Sequence, residues 1–218
     1  MRRHPPQDGE TMLEFLTGSG LAAAAGMNAY IPLLVVGVAN RFFPDVMALP
    51  EGWDWLSNGW VLGIVAVLLV VELVADKIPA VDSVNDVIQT IVRPTAGGLV
   101  FGSSSTASTV AVTDPAAFFA SNQWVPIVVG AVIALVVHAG KTTLRPAANL
   151  ATAGAAAPVV STIEDVGAVG MSLLAIVAPL LVLLALALLG LLGWSIWRSA
   201  RRRRNADLRP ATDRLAET

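Results

Sequence analysis

The chain contains no cysteine and only two histidines, His4 and His138. Disulfides, thiolate metal sites and cysteine nucleophiles are excluded by the first absence, and a multi-histidine metal centre by the second. Charge is also scarce. Only 14% of the 218 residues are Asp, Glu, Lys or Arg, and there are just two lysines, Lys77 and Lys141. A soluble domain carries roughly 25% charged residues because its surface must be wetted. No P-loop, HExxH or GxSxG motif is present, so neither a metal nor another cofactor is expected, and no catalytic residue is assigned. What remains is apolar: 55% of residues are hydrophobic and the mean hydropathy is +0.69. That is too apolar for disorder. The composition predicts an all-α, polytopic membrane protein with about four to six crossings of roughly 20 residues each.

The residues that are charged are unevenly spread. Residues 198–218 hold seven arginines against three acids, whereas residues 11–197 hold five basic residues against eleven acids. A basic run directly after an apolar helix is a topology signal and places the C-terminus in the cytoplasm. It reads as a disordered tail, with no nucleic-acid partner implied. At the other end, residues 1–11 form a polar segment. Pro5, Pro6, Asp8 and Glu10 follow Arg2 and Arg3 where the apolar run of a cleavable signal would begin.

Between these ends lies one transmembrane domain, residues 12–197. The segment from Met12 to Phe43 is interrupted at Gly26-Met-Asn28-Ala-Tyr30-Ile-Pro32. Proline has no N–H, so Pro32 is expected to free the carbonyl of Asn28 and break the helix there. Gly18, Gly20, Ala22, Ala24 and Gly26 form a small-residue face suited to close packing, within the chain or in a homo-oligomer. An acidic loop with Trp53, Trp55 and Trp60 leads into a span from Trp60 to Ala75. Over residues 81–93, Val81, Val84, Ile88 and Ile91 take one helical face while Asp82, Asp86, Gln89 and Arg93 take the other. That short amphipathic helix is expected to lie in the lipid interface or to line a polar cavity. Pro94–Thr113 is rich in glycine and serine and reads as a buried or re-entrant segment. A clean span follows from Trp124, and residues 166–197 form a long apolar helix that bends at Pro179 or tilts.

Ser57-Asn58-Gly-Trp60-Val resembles Ser121-Asn122-Gln-Trp124-Val at an offset of 64, and the same offset pairs Lys77 with Lys141, Asn85 with Asn149 and Pro94 with Pro158. This predicts an internal repeat with copies around 57–94 and 121–158. The copies are parallel if residues 95–113 cross the bilayer and inverted if those residues form a hairpin. The inverted arrangement places eleven basic residues inside and three outside, the parallel one eight and six, so the charge rule favours inversion.

Glu72 stands in a continuous apolar run, where an ionised carboxylate is expensive, and Asp76 follows one turn later beside Lys77. His138, Lys141 and Arg145 share one helical face in the second copy. Asn28 at the helix break, Asp82 and Asp86 on the amphipathic helix, Arg93, and Glu164-Asp165 before the last span complete the polar set. If the copies face each other, these residues meet near one axis, where repeat transporters place their substrate sites. The expected function is a transporter or channel for a small solute or ion, with Glu72 as its intramembrane carboxylate. Two rivals are a non-catalytic membrane scaffold, in which the same charges form a structural network, and a lipid-headgroup enzyme holding Mg²⁺ at Asp82 and Asp86.

The string Glu72-Leu-Val-Ala-Asp76-Lys77-Ile-Pro79-Ala-Val-Asp82-Ser83, with Arg93-Pro94 beyond it, resembles the signature of a bacterial integral-membrane family classed as a domain of unknown function. Gly20-Leu-Ala-Ala-Ala-Ala-Gly26-Met-Asn28-Ala-Tyr30 is similar to that family's first helix. His138-Ala-Gly-Lys141 with Arg145, Asn149 and Glu164-Asp165 is similar to its second half. The resemblance covers roughly residues 12–197. It implies that these polar residues are the family's hallmark, and it implies no activity.

Overall fold

Small residues let the first helix sit at the centre of the assembly. In the computed structural model, which describes residues 8–105, 122–152 and 157–207, α1 (Asp8–Met27) buries every side chain from Leu21 to Ala25 completely. A methyl group at Gly26 would sit 2.6 Å from the Ala134 carbonyl, and one at Gly20 would sit 2.7 Å from the Ala175 side chain. Neighbouring helices thus reach α1 at backbone distance, as the small-residue face predicted. No strand occurs among the described residues; the fold is all-α.

The chain reverses after α1. Asn28 and Ala29 form a two-residue break, and α2 (Tyr30–Phe42) runs back beside α1. Met47 and Pro50, just beyond α2, therefore line a small cavity with Leu13 and Thr17 near the start of α1. The cause of the break differs from the one expected. Pro32 sits in the first turn of α2, where no backbone N–H is needed, so it is accommodated without a lost bond. The Asn28 side chain makes the turn: its Oδ1 accepts from the backbone N–H of Tyr30 at 3.1 Å and of Ile31 at 3.2 Å.

A 3-10 turn (Asp54–Ser57) precedes α3 (Gly59–Ala75), which Asn58 caps by accepting from Trp60 N at 2.9 Å. Next come α4 (Pro79–Ser104), α5 (Trp124–Ala151), α6 (Ala157–Val177) and α7 (Pro179–Asp207). The expected amphipathic helix is the first half of α4, which continues through Pro94 without interruption. Residues 95–104 are therefore an ordinary helical return, and the re-entrant hairpin is corrected; residues 106–113 lie outside the described residues. Gly97, Gly98 and Gly102 on this return pack against Ile127, Gly130 and Ala134 of α5.

This packing also fixes direction. α3 and α5 both start at the end of the assembly that holds Trp53 and Ser103, and both lead to the opposite end, where Glu72 and His138 lie within reach of Arg93. The two segments related by the offset of 64 run parallel, so the inverted arrangement is also corrected. Their matching asparagines serve different local purposes: Asn58 caps α3, whereas Asn122 adopts φ 57°, a left-handed conformation that asparagine tolerates.

The long last helix is two helices. α6 ends at Val177, and Pro179 opens α7, where its missing N–H costs nothing. Residues Met1–Leu183 form one compact unit and Leu184–Thr218 a second. In the second unit the helix continues through the arginine run to Asp207, with Arg198 stacked 5.3 Å from the Trp194 ring centre one turn earlier. The basic segment is thus helical as far as residue 207, because arginine is a good helix former. Residues 208–218 lie outside the described part.

Burial in the first unit is the reverse of a soluble protein's. Trp60, Ile64, Val67, Val71 and Val74 on α3, Val84, Val87 and Ile91 on α4, and Val128, Val132 and Val136 on α5 are exposed. Glu72, Asp76, Gln89, Arg93, His138 and Lys141 are buried. Among the described residues, Trp124–Thr143 of α5 and the whole of α6 are long and apolar enough to cross a bilayer, while α2, α3 and the start of α7 are shorter apolar helices.

Candidate buried ion-pair site

Four helices and the α1–α2 break deliver polar side chains to one place. Each arrives on a turn whose opposite face is apolar. α3 brings Glu72 and, one turn later at its C-cap, Asp76, with 1% and 2% exposure. α4 brings Gln89 and Arg93, again one turn apart. α5 brings His138 and Lys141. α6 brings Glu164 and Asp165, and the α1–α2 break brings Asn28. On α4 the apolar side, Val84, Ile88 and Ile91, faces out while Gln89 and Arg93 face in. The polar face of the amphipathic segment therefore lines the interior.

Arg93 is fully buried and is the hub. Its Nη2 donates to Glu72 Oε1 at 2.9 Å and lies 3.6 Å from Asp76 Oδ2. Its Nη1 donates to the Gly26 carbonyl at 3.2 Å and faces His138 Nδ1 at 3.2 Å. A guanidinium has only donors, so this Nδ1 is an acceptor and His138 is the neutral tautomer protonated at Nε2. That N–H then donates to Thr90 Oγ1 at 3.2 Å, and the Thr90 hydroxyl donates to the Asp86 carbonyl at 2.9 Å. His138 is thereby a link in a hydrogen-bond chain.

Lys141 is the second hub. Its Nζ lies 3.0 Å from Glu164 Oε2 and 3.3 Å from Asp76 Oδ2, and it reaches the Met27 carbonyl at 3.4 Å. Asp76 also accepts from Asn85 Nδ2 at 2.8 Å. Lys77 turns outward instead. It is the exposed member of the set and reaches Asp165 at 3.7 Å, while Asn28 Nδ2 donates to the other oxygen of Asp165 at 3.0 Å. The structure brings together Asn28, Glu72, Asp76, Lys77, Arg93, His138, Lys141, Glu164 and Asp165. Asp86 stays half-exposed at the edge and enters the chain through its backbone. The side chains of Asp82 and Arg145 lie outside the described residues.

Sequence reasoning missed Asn85, Gln89 and Thr90 as members of the site. For Gln89 a signal existed: it precedes Arg93 by one turn on the polar face of α4. No group of three His, Asp or Glu side chains that could hold a metal ion occurs among the described residues.

Asn28 joins three elements through one amide, so its loss should be felt locally. Asn28→Ala removes the cap of α2 and one partner of Asp165. It is expected to lower stability by about 0.5–2 kcal/mol, the range for a lost helix cap, read as a drop in the thermal midpoint of the detergent-solubilised protein. A midpoint equal to wild type would show that the break is held by packing alone.

The fold and site together define an all-helical protein that exposes apolar side chains and encloses a cluster of ion pairs. The chain belongs to the DUF4126 family, a domain of unknown function, whose model matches residues 15–199. That match runs from within α1 to the start of the basic segment and contains every member of the site. No curated protein and no solved structure matches the chain.

Proposed function

We propose that this is a polytopic inner-membrane protein that moves a small solute or ion, with Glu72 as the binding carboxylate. The membrane part of the reading is supported by the reversed burial: apolar side chains on the outside of α3, α4 and α5 match lipid, and the ionised groups are kept inside. The transport part is carried by one observation. Glu72 is almost wholly buried, yet its Oε2 has no hydrogen-bond partner. A buried carboxylate oxygen left open costs stability and is retained for a reason. It sits one turn from a second buried carboxylate, so the site leans towards a cationic species. The test is flux in proteoliposomes, assayed with proton- and cation-sensitive dyes. Glu72→Gln should abolish flux while the circular dichroism spectrum and elution volume stay those of wild type. If the variant loses thermal stability and flux is unchanged, Glu72 has no transport role.

A scaffold reading has its own support. The last carbonyls of a helix lack internal partners, and here Arg93 and Lys141 bind those of Gly26 and Met27 at the end of α1. Part of the cluster thus has a structural task whichever reading holds. The flux assay separates the two.

A further inference from the structure

Two buried carboxylates, Glu72 and Asp76, stand one turn apart on α3, and both lean on the same guanidinium. Like charges this close disfavour double ionisation, so one proton tends to be shared by such a pair. The partners show where it resides. Asp76 has Arg93 at 3.6 Å, Lys141 at 3.3 Å and Asn85 at 2.8 Å. Glu72 has Arg93 alone, on Oε1, and its Oε2 meets no donor. A second and independent orphan lies nearby. Gln89 is 2% exposed, its Oε1 has no partner, and it precedes Arg93 by one turn on α4, beside the Tyr30 phenol that also borders Glu72. Glu72 Oε2 is thus a fully buried carboxylate oxygen with no donor, one turn from a carboxylate that has several.

We infer that the ligand of this site is a proton, held on Glu72 Oε2. The carboxylic acid then uses its carbonyl oxygen, Oε1, to accept from Arg93, and its hydroxyl turns Oε2 from an orphan acceptor into a donor. Asp76 remains the ionised partner of Arg93 and Lys141. Around Glu72 stand Tyr30 from α2, Asp76 from α3, Arg93 from α4 and Lys141 from α5, with His138 reaching Arg93 and Gln89 reaching Tyr30. A small metal cation fits less well. It would approach an oxygen whose carboxylate already holds a guanidinium at 2.9 Å, and among the described residues no third carboxylate or histidine completes a ligand set. In the proposed function this proton is the species bound or coupled at Glu72, so the inference rests on that reading for its role. Its test does not.

Infrared spectroscopy of the purified protein at neutral pH reads the carbonyl band of a protonated carboxylic acid, which is well separated from carboxylate bands. The band should be present in wild type, absent in Glu72→Gln and retained in Glu164→Gln. Its absence from wild type, or its survival in Glu72→Gln, would overturn the proposal. A hydrophobic carbodiimide, which reacts with protonated carboxyl groups, supplies a check on the unmodified chain if the variant fails to fold. Mass spectrometry should find the adduct on Glu72 and not on Asp76; an adduct on Asp76 alone would refute the assignment. Flux separates this from the broader reading. A protonated Glu72 without any flux supports the proton site and removes the transporter. Glu72-dependent sodium flux without the carboxylic acid band keeps the transporter and removes the proton.

Discussion

Arg93→Met should destabilise the protein by about 3–5 kcal/mol, the range for removing one partner of a buried ion pair. Methionine fills much of the volume, so the loss is one of charge and hydrogen bonds more than of packing. Four acceptors lose a donor together: Glu72 Oε1, Asp76 Oδ2, the Gly26 carbonyl and His138 Nδ1. None of them is exposed enough to recruit bulk water, since Glu72, Asp76 and His138 are each 2% exposed or less. The measurement is the thermal or denaturant midpoint in a fixed detergent. A second substitution makes the result specific. If Asp76 is the ionised partner, Arg93→Met combined with Asp76→Asn should recover a good part of the loss, because the uncompensated negative charge is gone. Adding Glu72→Gln to Arg93→Met should recover little, since Glu72 is already neutral. The opposite order of recovery would place the charge on Glu72.

Much of this site was legible in the sequence, for a simple physical reason. In a chain with so few charges, those in apolar runs must be used, and Glu72, Arg93, His138 and Lys141 were found by scarcity alone. Their partners were less legible. Glu72 pairs with Arg93 from another helix, 21 residues away, and not with the adjacent Lys77. Lys77 lies past the end of α3 and points outward. The direction of the two related segments was misread for a connected reason. The charge rule treats bases as markers of the side on which a helix ends, but Arg93 and Lys141 are buried in ion pairs and mark no side. The continuity of α4 was obscured by Pro94 and the glycines after it. Those glycines are there for contact: the Gly97 and Gly130 backbones meet, and a proline inside a packed helix is tolerated where neighbours take up the freed carbonyl.

That contact yields the second large effect. At Gly130 a side chain would run into the Gly97 carbonyl and the Phe101 Cβ, and at Gly97 into Ala134 and the Gly130 carbonyl. The carbonyls are backbone atoms and each Cβ is fixed to its backbone, so no rotamer change can move them aside. Gly130→Val should therefore push α4 and α5 apart. Overpacking of this kind costs roughly 1–3 kcal/mol and more when backbone must shift, so a loss at or above the top of that range is expected, with lower yield of folded protein. Gly140→Val on the same helix is the control. Nothing lies within 4 Å of a side chain there, and its midpoint should stay close to wild type. The consequence reaches the ion pairs, because α4 carries Arg93 and α5 carries His138 and Lys141. Separating the two helices at Gly130 would lengthen the 3.2 Å contact between Arg93 and His138 two turns away. Gly130→Val should thus weaken whatever depends on Glu72 without touching it, and the infrared band assigned to Glu72 should broaden or shift. An unshifted band in a destabilised Gly130→Val protein would show that the cluster is held by α1 and α3 alone, independently of the α4–α5 seam.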